Sequence, residues 1–414
     1  MLIRFLIFFG LAALFEVYAF QAFRTLFRST WLQIAYGVLS IGIWIYMMYV
    51  FTTYDRSVGP TQQSLKAMGI FLLSVVPKLV IAFILIFEDL VRLGVSAYSL
   101  LTDHFMSETS QTSHWPARRK FISQLAIGLA TIPFGSLLYG IYRGRYNYKV
   151  LTHTLYFDDL PEAFDGFRLT QISDIHSGSF TNSKKIKYAV DLINNQRSDM
   201  IVFTGDIVNT RADEMDDWIT VFKNMNTPAY GKFSILGNHD YGEYVTWPSQ
   251  EAKEANFQAI KDVHKKIDFD LLLNSNRIIE KDGQHLALIG VENWGHNFKK
   301  AGDLIKASSG IAANDFKILL SHDPSHWEYE VRDHPETYHL TLSGHTHGFQ
   351  FGIEVPGIKW SPVQYVYQYW AGLYKNADRY LYVNRGFGYH AYPGRVGIWP
   401  EITVLELKRK PSVA

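Results

Sequence analysis

The chain has 414 residues, a net charge of +1 and no cysteine. Its length allows two domains, and its near-neutral charge argues against a nucleic-acid-binding protein that relies on a strongly basic surface. The lack of cysteine excludes disulfides, thiolate metal ligands and a cysteine nucleophile. Any metal would be held by His, Asp, Glu or Asn, which favour hard or borderline divalent cations.

Four apolar stretches in the first third of the chain predict membrane-spanning helices, at residues 2–20, 31–51, 68–87 and 121–142. Each is close to the ~20 residues needed to cross a ~30 Å hydrocarbon core. The third contains Lys78, which would have to face other helices or reach the interface. We interpret residues 1–145 as a transmembrane region with about four helices, with three spans as the alternative.

The segment 88–101 mixes charged and apolar residues. This pattern fits an amphipathic helix lying at the membrane interface. It fits equally a longer third helix that is tilted in the membrane.

The charges flanking the spans are too evenly distributed to give the orientation. Residues 117–122, which include Arg118 and Arg119, resemble a twin-arginine export signal in an internal position. On this interpretation the chain is a multi-pass protein of a bacterial inner membrane, with its soluble domain on the exported face. An ordinary basic anchor beside a helix is the alternative.

Residues 150–410 show short apolar runs that alternate with amphipathic segments, after a basic linker at 143–149. Strands are predicted at 167–173, 200–204, 232–236, 285–291, 317–321 and 340–343, and helices at 183–196, 214–225 and 249–267. Polar residues follow several of these strands directly. Open α/β sheets place their ligand sites at such strand ends.

Five polar motifs follow predicted strands in a fixed order. They are Asp174-Ile175-His176, Gly205-Asp206, Gly237-Asn238-His239-Asp240, Ser321-His322-Asp323 and Gly344-His345-Thr346-His347. A single motif of this kind carries little information, because Asp and His are common at strand ends. Their joint occurrence, each after an apolar strand, is much stronger support for a metal site.

This ordered set resembles the calcineurin-like metallophosphoesterase superfamily, and in particular its membrane-associated branch. The resemblance covers roughly residues 167–407 and is strengthened by the segments 344–350, 384–388 and 395–402. It implies an N-terminal multi-pass α-helical membrane region followed by an α/β metallophosphatase domain, a four-layer αββα sandwich. It also implies a binuclear centre of two divalent metal ions, for which mixed N and O ligands suit Mn, Fe or Zn.

The resemblance assigns a role to each motif residue. Asp206 would bridge the two metals, because holding two cations ~3.5–4 Å apart requires an anionic ligand between them. The first metal would also bind Asp174, His176 and His347, and the second Asn238, His322 and His345. His239 would contact the phosphate and protonate the leaving oxygen as a general acid.

Some positions depart from the family pattern or fall outside its ligand set. Asn209 replaces a carboxylate that orients the catalytic His in many relatives, and Phe349 stands where the family usually has Gly. Asp240 is expected to hydrogen-bond to groups around the ligands. Arg385 could meet phosphate or form a structural ion pair. The other ten histidines, His264 and His390 among them, are expected to be surface or capped residues.

The expected function is that of a binuclear-metal phosphoric ester hydrolase. It would cleave a phosphate ester or pyrophosphate bond by attack of a hydroxide held by the two metals. Anchoring favours a membrane-associated or lipid-linked phosphorylated substrate and contact with membrane lipids, and no nucleic-acid partner is expected. The aromatic segment 360–374 could line an acyl-chain groove, enter the interface or pack against the sheet. The alternative function is a catalytically silent membrane scaffold or sensor with a retained metal site.

Overall fold

The structure is a computed structural model that describes residues 2–103 and 115–411, with side chains described over 10–98 and 118–411. The chain forms two compact units. The membrane unit comprises residues 1–54 and 66–140, and the catalytic unit comprises 55–65 and 141–414.

The described part of the membrane unit consists of four long helices: α1 (Leu2–Leu26), α2 (Thr30–Thr52), α3 (Gln62–Asp103) and α4 (Trp115–Tyr142). Within the described residues, three segments are long and apolar enough to cross a membrane: Thr30–Thr52, Gln62–Tyr98 and Arg118–Tyr146. The first span, which falls in α1, stays a prediction. The backbone of α3 is helical without interruption through residues 88–101, as in the longer-helix interpretation.

A polar cluster lies among the membrane helices. Lys78 of α3 forms an ion pair of 2.8 Å with Glu16 of α1 and also donates to the hydroxyls of Ser40 and Ser74. A charge inside a membrane is costly unless it is paired. Lys78 therefore faces other helices, which is one of the two arrangements expected for it.

Among its described residues, the catalytic unit contains fourteen strands. They are β1 (Lys149–Phe157), β2 (Phe167–Ile172), β3 (Met200–Phe203), β4 (Lys232–Ser234), β5 (Asp270–Leu271), β6 (Ser275–Lys281), β7 (Gln284–Gly290), β8 (Lys317–Leu320), β9 (Leu340–Ser343), β10 (Ile353–Val355), β11 (Ile358–Trp360), β12 (Gly372–Asn376), β13 (Arg379–Val383) and β14 (Glu401–Arg409). Two mixed six-stranded sheets result, ordered β1-β14-β2-β3-β4-β5 and β12-β13-β9-β8-β7-β6. Strands β10 and β11 form a separate antiparallel hairpin.

The two sheets pack face to face, with helices on their outer faces. Along β3, Val202 belongs to the core between the sheets, whereas Ile201 and Phe203 face the outer core, as expected when successive side chains alternate. Helices α5 (Ser183–Asn194), α6 (Ile219–Lys223) and α7 (Gln250–Lys266) cover the first sheet, and α8 (Leu304–Ala307) packs on the second. The layer order is the predicted αββα sandwich.

Residues 55–65, which connect α2 to α3, are built into the catalytic unit. The amide of Thr246 donates to the carbonyl of Arg56 at 2.9 Å, and Nε2 of Gln62 donates to the carbonyl of Gly178 at 2.9 Å. This connection and the main body of the catalytic unit therefore share one side of the membrane.

Candidate metal centre

The predicted ligands lie just beyond the ends of β2, β3, β4, β8 and β9. Five of them have left-handed backbone conformations, with φ of 53° at Asp174, 48° at His176, 61° at Asp206, 72° at His345 and 50° at His347. Such conformations cost about 1–3 kcal/mol each in residues other than glycine, and they cluster at functional sites. The strand ends are thus strained in a way that turns these side chains toward one point.

Asp174, His176 and His347 form the first cluster of possible metal ligands. The Nε2 atoms of His176 and His347 lie 3.0 Å apart, and Nε2 of His347 lies 3.2 Å from Oδ1 of Asp174. All three side chains are buried. The amide of His345 donates to Asp174, which fixes the carboxylate.

A second cluster consists of Asp206, His322 and His345, with Asn238 beside them. Oδ2 of Asp206 lies 3.1 Å from Nε2 of His322, and Nδ1 of His345 lies 2.8 Å from Oδ1 of Asn238. Oδ2 of Asp206 is also 3.6 Å from Nε2 of His176 in the first cluster. Asp206 therefore lies between the two clusters, and with His176 and His239 it forms a third group of possible ligands.

The geometry of both clusters fits divalent cations. Two nitrogens that each lie ~2.1 Å from one cation at a right angle are ~3.0 Å apart, as the two Nε2 atoms of the first cluster are. Nδ1 of His322 donates to the carbonyl of Thr204 at 2.6 Å, which leaves Nε2 buried and without a well-directed hydrogen bond. A carbonyl on one ring nitrogen commonly orients the other nitrogen toward a metal.

Within the clusters, burial and neighbouring charges shift the pKa values of the side chains. Burial acts to raise the pKa of Asp206, but the neighbouring His322 and His239 outweigh it and hold that pKa well below its usual range. Burial disfavours the charged form of His322, yet Asp206 prevails and raises the pKa of His322 to about 10. Asp206 is thus an anion at neutral pH, and it attracts positive charge to the place where the second cation would bind.

His239 lies next to both clusters. Its amide donates to Oδ1 of Asp206 at 2.8 Å, and its Nδ1 donates to the main-chain carbonyl of Asn209 at 2.7 Å. Burial lowers the pKa of His239 although Asp206 and the carbonyl act to raise it, so the imidazole is neutral at pH 7. A phosphate anion against this ring would favour its protonated form.

Asp240 accepts hydrogen bonds from the main-chain amides of Asp206, Ile207 and Gly237, each at 2.9 Å. Burial, reinforced by Asp206, raises the pKa of Asp240 to about 7. Its contacts tie the loop after β3 to the loop after β4. Asp240 therefore supports the backbone that carries Asp206 and Asn238.

Arg385 is held by carboxylates. Its Nη1 contacts Oε2 of Glu401 at 2.5 Å, and its Nη2 contacts Oε1 of Glu354 at 2.5 Å. Of the two interpretations of this residue, the structure shows the ion pair.

His390 is half-buried and hydrogen-bonded, and it lies against the candidate site although the sequence did not connect it with the site. The ring of His390 stacks on that of His176 at 4.9 Å between centroids, lies 4.6 Å from that of His239, and places Nδ1 3.1 Å from Oδ1 of Asn209. His390 follows no strand and matches no ligand motif, so the sequence offered no signal for it. The chain reaches the site there through Ala391, with φ of 60°.

Three further residues at the site carried no motif of their own. The hydroxyl of Tyr367 lies 2.7 Å from Nε2 of His345, and the hydroxyl of Tyr244 accepts from Nδ2 of Asn238 at 2.6 Å. Arg395 is fully buried, with Nη2 3.0 Å from Nδ1 of His347. Tyr367 lies in the aromatic segment 360–374, and Arg395 lies in the segment 395–402 that resembles the family.

Phe349 has a backbone conformation that favours glycine, the residue that the family resemblance led us to expect at this position. Its φ is 50°, a conformation that glycine adopts without strain. The side chain is about half exposed and follows His347 by two residues. Phe349 therefore changes the wall beside the site and leaves the ligand set intact.

Comparison with known proteins gives two family matches. Residues 3–145 match the family described as "Probable Calcineurin-like phosphoesterase, transmembrane domain", and residues 167–349 match "Calcineurin-like phosphoesterase". The second match includes the eight strands β2 to β9, which lead to or lie between the ligand loops.

Several curated proteins are similar to the chain. The uncharacterized metallophosphoesterase YkuE of Bacillus subtilis is 31% identical over 304 residues, which cover 70% of this chain and 98% of YkuE. The phosphodiesterase YaeI of Escherichia coli is 28% identical, with 70% of this chain and 99% of YaeI covered. A transmembrane protein with metallophosphoesterase domain from Danio rerio is 26% identical, with 66% of this chain and 60% of that protein covered.

Proposed function

The chain belongs to the calcineurin-like metallophosphoesterases, and from this premise we propose that it hydrolyses a phosphate ester or pyrophosphate bond at a two-metal centre. The observation that carries the proposal is the position of Asp206 between the two clusters, 3.1 Å from His322 in one and 3.6 Å from His176 in the other. The seven proposed ligands are Asp174, His176, Asp206, Asn238, His322, His345 and His347. Mn, Fe and Zn each suit this mixture of donors.

When bound, two such cations would supply a water of lowered pKa and neutralise charge on the phosphoryl oxygens. The protein's own groups provide the rest. Asp206, an anion at neutral pH, would be a ligand to both cations, and it accepts a hydrogen bond from the amide of His239. Asp240 and the glycine-rich loops keep these ligands in place before substrate binds, so that little reorganisation is needed during reaction.

His239 is the proposed catalytic residue. The main-chain carbonyl of Asn209 fixes Nδ1, so Nε2 is the nitrogen free to meet the substrate. A bound phosphate favours the protonated ring, which can then hydrogen-bond to phosphate or protonate the leaving oxygen.

The proposed substrate is membrane-associated or lipid-linked, because the chain is an integral membrane protein. The relative YaeI is named a phosphodiesterase, which makes a diester the first bond to test. We further propose that the chain resides in a bacterial inner membrane with its catalytic unit on the exported face. Arg118 and Arg119 are the first residues of α4 whose side chains are described. If this pair is a twin-arginine signal, it supports an exported catalytic unit.

The test is turnover of p-nitrophenyl and bis-p-nitrophenyl phosphate by the purified full chain with added Mn²⁺. We expect metal-dependent release of nitrophenol that Asp206→Asn reduces by about a hundredfold or more. The control His285→Gln changes an exposed histidine and should retain activity.

Metal analysis separates the two candidate functions. Two metals per wild-type chain with no turnover on any phosphoester would favour the silent scaffold or sensor. Turnover that Asp206→Asn leaves unchanged would refute the proposed centre, whatever the metal content.

A further inference from the structure

The β10–β11 hairpin has an inverted distribution of polar and apolar side chains. In its register Glu354 pairs with Lys359 and Val355 pairs with Ile358, so these two pairs project from opposite faces. Glu354 binds the buried Arg385, and Nζ of Lys359 donates to the carbonyl of Ala371. Glu354 and Lys359 are themselves exposed, but their side chains form the polar bonds that join the hairpin to the body of the protein.

The opposite face is apolar and open. Ile353 is 51% exposed, Val355 51% and Ile358 56%. Nearby in sequence, Tyr365 and Val366 are 77% and 64% exposed. A group of exposed aliphatic side chains of this kind is typical of a surface that contacts another apolar surface.

The hairpin begins close to where the chain leaves the last membrane helix. The amide of Gly352 donates to the carbonyl of Val396 at 2.9 Å, which fixes the start of the hairpin against the segment 395–399. Gly144, two residues beyond the end of α4, packs against Arg395 and Trp399 of that same segment. Two residues span at most ~7 Å.

A cavity of ≈340 Å³ lies in the same region. Val355 and Pro356 at the tip of the hairpin line it together with Lys149, Leu151 and Trp399. Lys149 begins β1, the first strand after α4. The hairpin, the first strand and the exit from α4 thus lie within one local region of the catalytic unit.

We propose that the apolar face of the β10–β11 hairpin docks onto the surface of the bilayer that holds the chain's own helices. Ile353, Val355 and Ile358 enter the boundary between headgroups and acyl chains, as the apolar faces of interfacial elements do. The short tether at Gly144 makes the bilayer the apolar medium that is always within reach.

Docking would bring the metal centre to its substrate. Ile353 follows the proposed ligand His347 by only six residues, and Gly348 packs against Ile398 of the segment that holds the hairpin. Docking would then hold this part of the chain near the phosphate groups of the lipid headgroups. This consequence rests on the proposed phosphoesterase function and specifies its substrate class as phosphate-bearing lipid, whereas docking itself does not depend on activity.

The first test measures docking without reference to activity. Because the chain has no cysteine, Val355→Cys can carry a single environment-sensitive fluorophore in the full chain reconstituted into phosphatidylcholine–phosphatidylglycerol nanodiscs. We expect blue-shifted emission that lipids spin-labelled near the headgroup quench. The matched control is Ile305→Cys on α8, where the native side chain is 82% exposed, and it should respond to aqueous iodide instead.

Two outcomes of this test would overturn the proposal. Equal iodide quenching at both positions would mean that the hairpin faces water. A blue shift that spin-labelled lipid does not quench would mean that protein, either another polypeptide or a second copy of this chain, covers the hairpin.

The second test links docking to catalysis. The triple variant Ile353→Ser, Val355→Ser, Ile358→Ser is compared with wild type in proteoliposomes, as the ratio of phosphate release from phospholipid to turnover of p-nitrophenyl phosphate. We expect this ratio to fall at least about fivefold, since the lost apolar area weakens membrane contact, and to stay constant in Ile305→Ser.

An unchanged ratio in the triple variant would refute the link between docking and substrate access. Wild-type protein that turns over neither substrate would refute the proposed function, and the fluorescence result would still decide whether the hairpin docks.

Discussion

The imidazole of His239 is oriented by a main-chain carbonyl, that of Asn209, and not by a side chain. The Asn209 amide group is engaged elsewhere, with Ser179 and His390. A carbonyl at this position fixes the ring whichever residue occupies position 209. The replacement of a carboxylate by Asn therefore affects His239 less than the sequence alone suggested.

This arrangement predicts unequal effects of two substitutions on turnover. Asn209→Ala removes side-chain hydrogen bonds worth about 0.5–1.5 kcal/mol each and keeps the carbonyl, so we expect kcat to fall by about tenfold or less. His239→Ala removes the proposed acid and should lower kcat by about 10²–10⁴. Steady-state kinetics on p-nitrophenyl phosphate measure both. A loss in Asn209→Ala as large as that in His239→Ala would show that the side chain orients the ring.

The sequence predicted the residues of the centre better than their surroundings. The motif residues Asp174, Asp206 and His322 were found because each directly follows a buried strand, where topology places ligands. His390 and Tyr244 reach the site through irregular backbone. No periodicity encodes that path, and single His and Tyr residues are too common to mark it.

The connection between α2 and α3 is an element of the catalytic unit although it lies between membrane helices in sequence. Gly59 in this connection has φ of 80°, and a Cβ there would overlap Val245 and approach Thr210. Thr210 follows Asn209 and so lies beside the centre. Close packing of the connection thus reaches residues that neighbour the site.

We expect Gly59→Ala to destabilise the catalytic unit more than Gly283→Ala does. Both glycines have positive φ, 80° and 76°, and so share a backbone cost of about 1–2 kcal/mol. Only Gly59 also meets a side chain, whereas a Cβ at Gly283 has open space. Thermal unfolding of the two variants isolates the packing contribution. Equal midpoints would contradict the close packing of residues 55–65 on the catalytic unit.

Helix α7 contributes a buried histidine that should make stability depend on pH. Burial lowers the pKa of His264 to about 3 from an ordinary value of 6.5. Below pH 6.5 the unfolded chain binds a proton that the folded chain does not, so the free energy of unfolding decreases as the pH falls toward 3. The full slope is about 1.4 kcal/mol per pH unit.

The variant His264→Gln should lose this dependence and still reach Ser234, the hydrogen-bond partner of His264. Between pH 7 and pH 5, we expect wild type to lose about 2 kcal/mol more stability than the variant. Denaturant unfolding at both pH values tests this, with His285→Gln as the exposed control. Because all three proteins keep the metal ligands, acid release of metal cancels in the comparison. Parallel losses would mean that His264 is protonated in the folded chain.

At the level of elements, several strands that are buried on both faces were predicted, whereas the edge strand β1 and the interior strands β13 and β14 were not. β3, β8 and β9 are fully buried and appear as continuous apolar runs. β1 is an edge strand with mostly exposed or half-buried residues, so its first residue was assigned to a basic linker. The segment predicted as one helix at 214–225 is instead a 3-10 turn at Ala212–Met215 followed by the short helix α6.

For the whole molecule, the order of the helices and the contacts of residues 55–65 determine which segments lie on the same side of the membrane. α2 separates residues before Thr30 from residues after Thr52, and α3 and α4 together return the chain to the side it left. The connection at 55–65 and the body of the catalytic unit must share one side, as their hydrogen bonds require. This holds whether α1 is a span or not, so it does not depend on the choice between three and four spans.

Single cysteines in this cysteine-free chain test the topology directly. Ser57→Cys lies in the 55–65 connection, Ser309→Cys in the catalytic unit and Ser29→Cys at the start of α2, and all three native side chains are exposed. With a membrane-impermeant maleimide on intact spheroplasts, we expect Ser57→Cys and Ser309→Cys to react together, and Ser29→Cys to react only after lysis. If the Arg118-Arg119 pair acts as an export signal, the first two react from outside. Labelling of Ser29→Cys and Ser309→Cys without lysis, with protection of Ser57→Cys, would show that residues 55–65 and the catalytic unit lie on opposite sides of the membrane. Protection of both Ser57→Cys and Ser309→Cys until lysis would place the catalytic unit in the cytoplasm. That second result would still agree with the shared side.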